Sequence, residues 1–144
     1  MIICAIATAH LVTHASTPST DSLTSQSLLR VASLFNQDYS ANRVGAVYER
    51  WDARSQSIIT RSDYIRRHIE CPTAPGEAVV ESAEPSTRGY WSVRYSISGL
   101  QFVDYWHYVN GRWRFSLVLS NPDAVKLYKL SFTAYAAAVG CTLR

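Results

Sequence analysis

The chain contains no apolar run approaching the ~18–20 residues that a bilayer crossing requires, which excludes a spanning helix. It has no Gly-x-Gly-x-x-Gly, phosphate-loop or Gly-x-Ser-x-Gly motif, and no Cys-x-x-Cys spacing. The common sequence signatures of nucleotide binding, serine hydrolysis and zinc coordination are therefore missing. Lysine is scarce, two residues against twelve arginines, and neither type gathers into a stripe. The densest basic run, Arg66-Arg67-His68, is short and close to Glu70, so it reads as a solvated helix face. A net charge of +3 without a basic patch gives no ground for nucleic acid as a partner.

What remains is a globular composition. Of 144 residues, 47% are apolar and 12% aromatic, with four Trp and nine Tyr, which argues against disorder. This length fits one domain, burying roughly two thirds of its unfolded surface. Residues 1–16 hold eleven apolar residues, and Thr13-His14-Ala15 offers small residues at the spacing a signal peptidase reads. No Lys or Arg opens the segment, so it reads as a shortened export signal, with a buried N-terminal helix as the alternative. The expected organisation is a leader remnant and linker over 1–21, then a single domain over 22–144. An extracytoplasmic location follows from the leader, and a cytoplasmic one from its alternative. Cys4 falls in the leader, leaving Cys71 and Cys141 as an even pair. In an exported protein such a pair forms one bridge, and two free buried thiols are the other reading.

Residues 16–27 are rich in Ser and Thr and read as an exposed linker running into a helix. Leu28, Val31, Ala32, Leu34, Phe35 and Tyr39 then recur at helical spacing, predicting a first helix over 22–38. A shorter one follows over 41–51, with Val44, Val47, Tyr48 and Trp51 on one stripe. Ser62 is a candidate N-cap for a third helix from Asp63 to Glu70, which Pro72 and Pro75 end. From residue 77 the period falls to two. Strands are predicted over 77–84, 90–98, 100–109 and 112–119, with Asn110-Gly111 as the strongest hairpin signal. Ser120 to Asp123 opens a closing helix over 122–139, ended by Gly140. Helices gathered before a strand meander make an α+β domain, with N-terminal helices packed on a curved antiparallel sheet and a C-terminal helix.

The stretch from Asp104 to Phe115, DYWHYVNGRWRF, resembles the closing hairpin of the NTF2-like (cystatin-like α+β cone) superfamily. There an acidic residue and an aromatic precede a "dGrWr" turn. Phe35, Tyr39, Val47, Tyr48 and the segment Ile59 to Tyr64 are similar to the helical opening of exported actinobacterial members. The resemblance covers residues 25–120; the closing helix and the Cys71/Cys141 pair are additions to it. It implies a cone whose sheet and first helix enclose a pocket, in a superfamily of isomerases, cyclases, dehydratases and non-enzymatic binding modules. Fold alone does not choose among these.

Alternation puts Phe102, Asp104, Trp106 and Tyr108 on one strand face, with Val103, Tyr105, His107 and Val109 on the other. If the first face lines the cone, Asp104 is a carboxylate among aromatics, suited to general acid/base work. The competing reading pairs it with Arg94 or Arg114, or gives it a hydrogen bond from a Tyr. His107 can be a general base or a packed strand residue, and His68 reads as a solvated helix position. His10 and His14 have metal-ligand spacing but no third ligand, so no metal and no cofactor is expected. The expected ligand is a mostly apolar small molecule held by Phe35, Tyr48, Trp91, Tyr95, Asp104 and Trp106. The function so implied is a non-enzymatic small-molecule-binding or protein-interaction module of the cell envelope. The alternative is a cofactorless isomerase, cyclase or dehydratase using Asp104. A homodimer through the outer sheet face is a third reading.

Overall fold

A computed structural model describes residues 20–73 and 75–142. The expected leader, Cys4 and the His10/His14 pair lie outside these residues. Four helices come first: α1 (Ser25–Ser40), α2 (Val44–Glu49), α3 (Ala53–Gln56) and α4 (Arg61–Glu70). Four strands follow, β1 (Ala78–Pro85), β2 (Tyr90–Ile97), β3 (Leu100–Val109) and β4 (Arg112–Phe115). The chain closes with α5 (Leu117–Ser120), α6 (Pro122–Tyr128) and α7 (Phe132–Ala138). This is an α+β fold with a C-terminal helical segment, and its sheet is antiparallel, open and ordered β1-β2-β3-β4. Among the described residues no helix is long and apolar enough to cross a membrane.

Local chemistry sets the boundaries. The Thr24 hydroxyl accepts from Ser27 N and starts α1. Thr60, rather than the expected Ser62, caps α4 by accepting from Asp63 N, so that helix begins two residues earlier. Asn110 and Gly111 have φ of 49° and 75°, the left-handed pair that a two-residue hairpin turn requires. Ser98-Gly99 repeats this geometry between β2 and β3.

The strands bury one face. Trp91 pairs with Trp106, Val93 with Asp104, Tyr108 with Trp113 and Trp106 with Phe115, and all face the helices' core residues. An irregularity between Val80 and Ser82 turns both Val80 and Ala83 to that side despite their odd spacing. Leu28, Val31, Ala32 and Phe35 of α1 complete the core with Val44, Val47 and Trp51.

Three expectations are corrected. The fourth strand stops at Phe115, not residue 119, because Leu117 N donates to Ser55 Oγ and the chain turns into α5. The closing helix over 122–139 is two helices. Ser131 caps α7, and the guanidinium of Arg67 donates to the carbonyls of Leu127 (3.2 Å) and Leu130 (2.7 Å) at the end of α6. Arg67 is accordingly buried, not solvated, with Asp63 at 3.1 Å and the Tyr135 ring beneath it. The exposed linker is also fastened at its end. Asp21 N donates to Gly111 O, and its carboxylate accepts from Trp113 N at 2.9 Å and pairs with Arg50 at 3.0 Å.

Cys71 and Cys141 form a disulfide that joins the end of α4 to the end of α7 across 70 residues. The small cluster it anchors, Cys71, Tyr135 and Ala136, is separate from the main core. Closing so long a loop removes about 4 kcal/mol of unfolded-state entropy in the chain model. Replacing both cysteines by serine is expected to lower the midpoint of thermal unfolding markedly. An unchanged midpoint would mean that the bridge constrains nothing.

Candidate functional site

Between α1 and the inward sheet face lies a cavity of about 410 Å³, walled further by α2, α4, α5 and α6. This is the size of a small-molecule site. Phe35, Asn36 and Tyr39 come from one stripe of α1 at helical spacing, Trp51 from the segment after α2, and Tyr64 from the first turn of α4. Tyr95 and Asp104 come from β2 and β3, and Tyr128 from α6. Exposed Gln101, Phe102, Val103 and Asn121 mark its rim.

Among the described residues Asp104 is the sole charged side chain on this wall, and it is 7% exposed. The register explains why it is inside: it alternates with Trp106, which is fully buried two residues on. Neither expected arginine reaches it. Arg94 points outward and is exposed, and Arg114 donates to Glu49 O on the opposite sheet face. Its one hydrogen bond is accepted from the Tyr95 hydroxyl at 3.4 Å, which is long for an O–H donor. Burial pushes the Asp104 carboxyl up to about 7, and the Tyr95 bond only partly offsets this. Burial also raises the Tyr95 hydroxyl, with the nearby Asp104 charge acting in the same direction. The pair is thus a carboxyl that titrates near neutrality beside a phenol that stays protonated.

Of the residues expected to hold a ligand, the structure brings Phe35, Tyr95 and Asp104 to the cavity. The other three lie outside its wall. The Tyr48 hydroxyl donates to the carbonyls of Gln56 and Ile59, tying α2 to the segment before α4. Trp91 packs edge-on against Trp113 at 5.3 Å. Trp106 sits edge-on to Phe35 and Phe115, behind the wall, with its indole N–H buried and without an acceptor among the described residues.

The sequence reading missed Tyr64 and Tyr128, which line the cavity from opposite helices. A signal existed for Tyr64, because it precedes His68 by one helical turn on the inner face. His68 is itself a correction: it is buried beside Tyr39, Tyr64 and Tyr128, not solvated. Burial lowers its pKa, although its Nδ1 bonds to Tyr64 O. His107 lies on the other sheet face, stacked on Tyr90, with Nε2 3.3 Å from Asp52 but without hydrogen-bond geometry. Among the described residues no three His, Cys, Asp or Glu converge on a metal site.

No family model, curated protein or solved structure matches the chain. The chemistry of the cavity must therefore be argued from its own residues. They offer a large aromatic surface, a few neutral amides and hydroxyls, and one weakly acidic carboxyl.

The raised carboxyl carries a stability consequence. Its folded pKa lies above the unfolded value, so its contribution is complete at acid pH and is lost as pH rises. Asp104→Asn is expected to match the wild type near pH 4 and to exceed it by roughly 2–4 kcal/mol above pH 7. Denaturant melts of both proteins across that range check this. A variant less stable than the wild type at neutral pH would show that Asp104 holds a favourable charged interaction.

Proposed function

We propose that this chain is an NTF2-like small-molecule-binding domain whose cavity takes a largely apolar ligand, with Asp104 as its polar anchor. The observation that carries the reading is a 410 Å³ aromatic-walled space beneath α1 that contains one buried carboxyl without an ion pair. Apolar walls reward ligand burial at roughly 25 cal/mol per Å² of apolar surface, and a single fixed polar group orients what binds. The helices-then-meander order and the hairpin at Asn110-Gly111 support the cone assignment. The disulfide between Cys71 and Cys141 favours an extracytoplasmic, cell-envelope setting.

One observation favours a second reading, a cofactorless isomerase, cyclase or dehydratase. A carboxyl with a pKa near 7 exchanges protons readily at neutral pH, and Tyr95 can donate to a developing oxyanion. The binding reading ranks first because, beside Asp104, the described wall offers only tyrosine hydroxyls as titratable groups, and burial holds those of Tyr64, Tyr95 and Tyr128 protonated.

Diphenylhexatriene, a neutral hydrocarbon whose fluorescence rises in apolar surroundings, tests the reading. The wild type is expected to bind it with micromolar affinity. Ala124→Trp, which projects an indole from α6 into the cavity, should weaken that binding by about tenfold or more. Absence of binding by a folded wild type, or equal binding by the variant, would remove the cavity as the ligand site.

A further inference from the structure

Asp104 is buried without a cationic partner among the described residues, yet it lines the cavity between α1 and the sheet. Among the described residues no Arg, Lys or His stands on the cavity wall. The Tyr95 hydroxyl lies against the carboxyl, and the same cavity is lined by Phe35, Tyr39, Trp51, Tyr64 and Tyr128. An aromatic ring carries negative charge on its face and attracts a cation, most strongly where water is excluded. A carboxylate on the wall of an aromatic-lined cavity is complementary to positive charge and repels negative charge. We propose that the ligand of this cavity is an organic ammonium ion, an amine with an apolar body, whose charged nitrogen pairs with Asp104.

This inference rests on the binding reading above and names the ligand class within it. Two further features support it. The rim residues Gln101 and Asn121 carry no positive charge, and Gln101 donates to the Glu81 carboxylate at 3.1 Å, so the mouth adds no cation to pair with Asp104. The cavity is also large enough for the hydrocarbon part of an arylalkylamine. An anionic ligand would meet the carboxylate with no compensating cation. A neutral ligand would leave the carboxyl desolvated whenever it ionises, a cost that an arriving ammonium removes.

Binding is coupled to protons. The unliganded carboxyl is raised by burial, and an adjacent ammonium draws it back down, so binding near neutral pH releases a proton from the protein. The other titratable groups facing this space are Tyr39 on α1, Tyr64 on α4, Tyr95 on β2 and Tyr128 on α6. Burial holds the hydroxyls of Tyr64, Tyr95 and Tyr128 well above their ordinary range. Behind them, burial favours neutral His68, and the charge of Arg67 is matched by Asp63. Asp104 is thus the group on this wall that changes charge near neutrality.

Isothermal titration of the full chain with phenylbutylamine, phenylbutanol and phenylbutyrate separates the outcomes. At about pH 8 the amine is expected to bind at least tenfold more tightly than the alcohol, and the carboxylate not detectably. The amine's advantage should shrink as pH falls from about 8 to about 6, and proton release should appear as buffer-dependent heat. Asp104→Asn should bind amine and alcohol equally. Amine and alcohol binding the wild type alike would overturn the ammonium assignment while leaving the apolar cavity reading intact. An amine preference that survives Asp104→Asn would overturn the role of the carboxylate. If neither amine nor alcohol binds and diphenylhexatriene also fails, the cavity reading falls, and the ammonium proposal with it.

Discussion

The two-residue period of β3 is the constraint from which the rest of the structure follows. Trp106 must face the helices, because it fills the centre of the sheet between Phe35 and Phe115. Once it does, Asp104 faces inward as well, and Val103, Tyr105 and His107 face out. A one-residue slip would free the carboxyl but expose the Trp106 ring, and the hairpin at Asn110-Gly111 fixes the register against that slip. The protein thus carries a buried acid as a consequence of how its sheet is ordered. The sheet alone would leave this acid facing bare apolar side chains, and the helices instead hold a cavity open in front of it.

Much of this was legible in the chain because it rests on local rules. The alternation of Tyr90 to Ser98 and of Leu100 to Val109 shows which side chains share a face, and the Asn-Gly pair marks the turn. Alternation groups Asp104 with Trp106, and the burial of that face in the structure decides that both point inward. The helical stripe of α1 likewise marks Phe35 as facing inward. What could not be read is what depends on partners far along the chain. Arg67 sits in a charged run that looks solvated, and only the carbonyls of Leu127 and Leu130 give it a buried role. The same contacts divide the closing helix, whose apolar pattern alone predicts one continuous element. His68 is hidden by Tyr39 and Tyr128, which come from opposite ends of the sequence. Tyr48 and Trp91 illustrate the converse limit. Their periodicity places them in the core, but periodicity does not separate a core position from a cavity wall.

The energetic balance of the site follows from that geometry. A buried carboxyl normally finds a cation or several N–H donors, and each lowers its pKa. Asp104 has one long hydrogen bond from a phenol, too little to offset desolvation, so the folded protein holds it near its switching point. Such a group weakens the fold at neutral pH, and here it stands on a cavity wall. On the ammonium proposal, stability surrendered at Asp104 is recovered when a ligand supplies the missing positive charge. Elsewhere the fold compensates through the disulfide across α4 and α7, the buried Arg67–Asp63 pair, and Asp21, which clamps the start of the chain's described part to the hairpin.

The central claim is that Asp104 is buried on the cavity wall without a compensating charge. Carbon-detected NMR of its side-chain carboxyl, assigned by its loss in Asp104→Asn, reports that ionisation directly. The account predicts a single titration in the unliganded protein with a midpoint near 7. A midpoint at or below about 4, the range of a solvated or ion-paired aspartate, would contradict it.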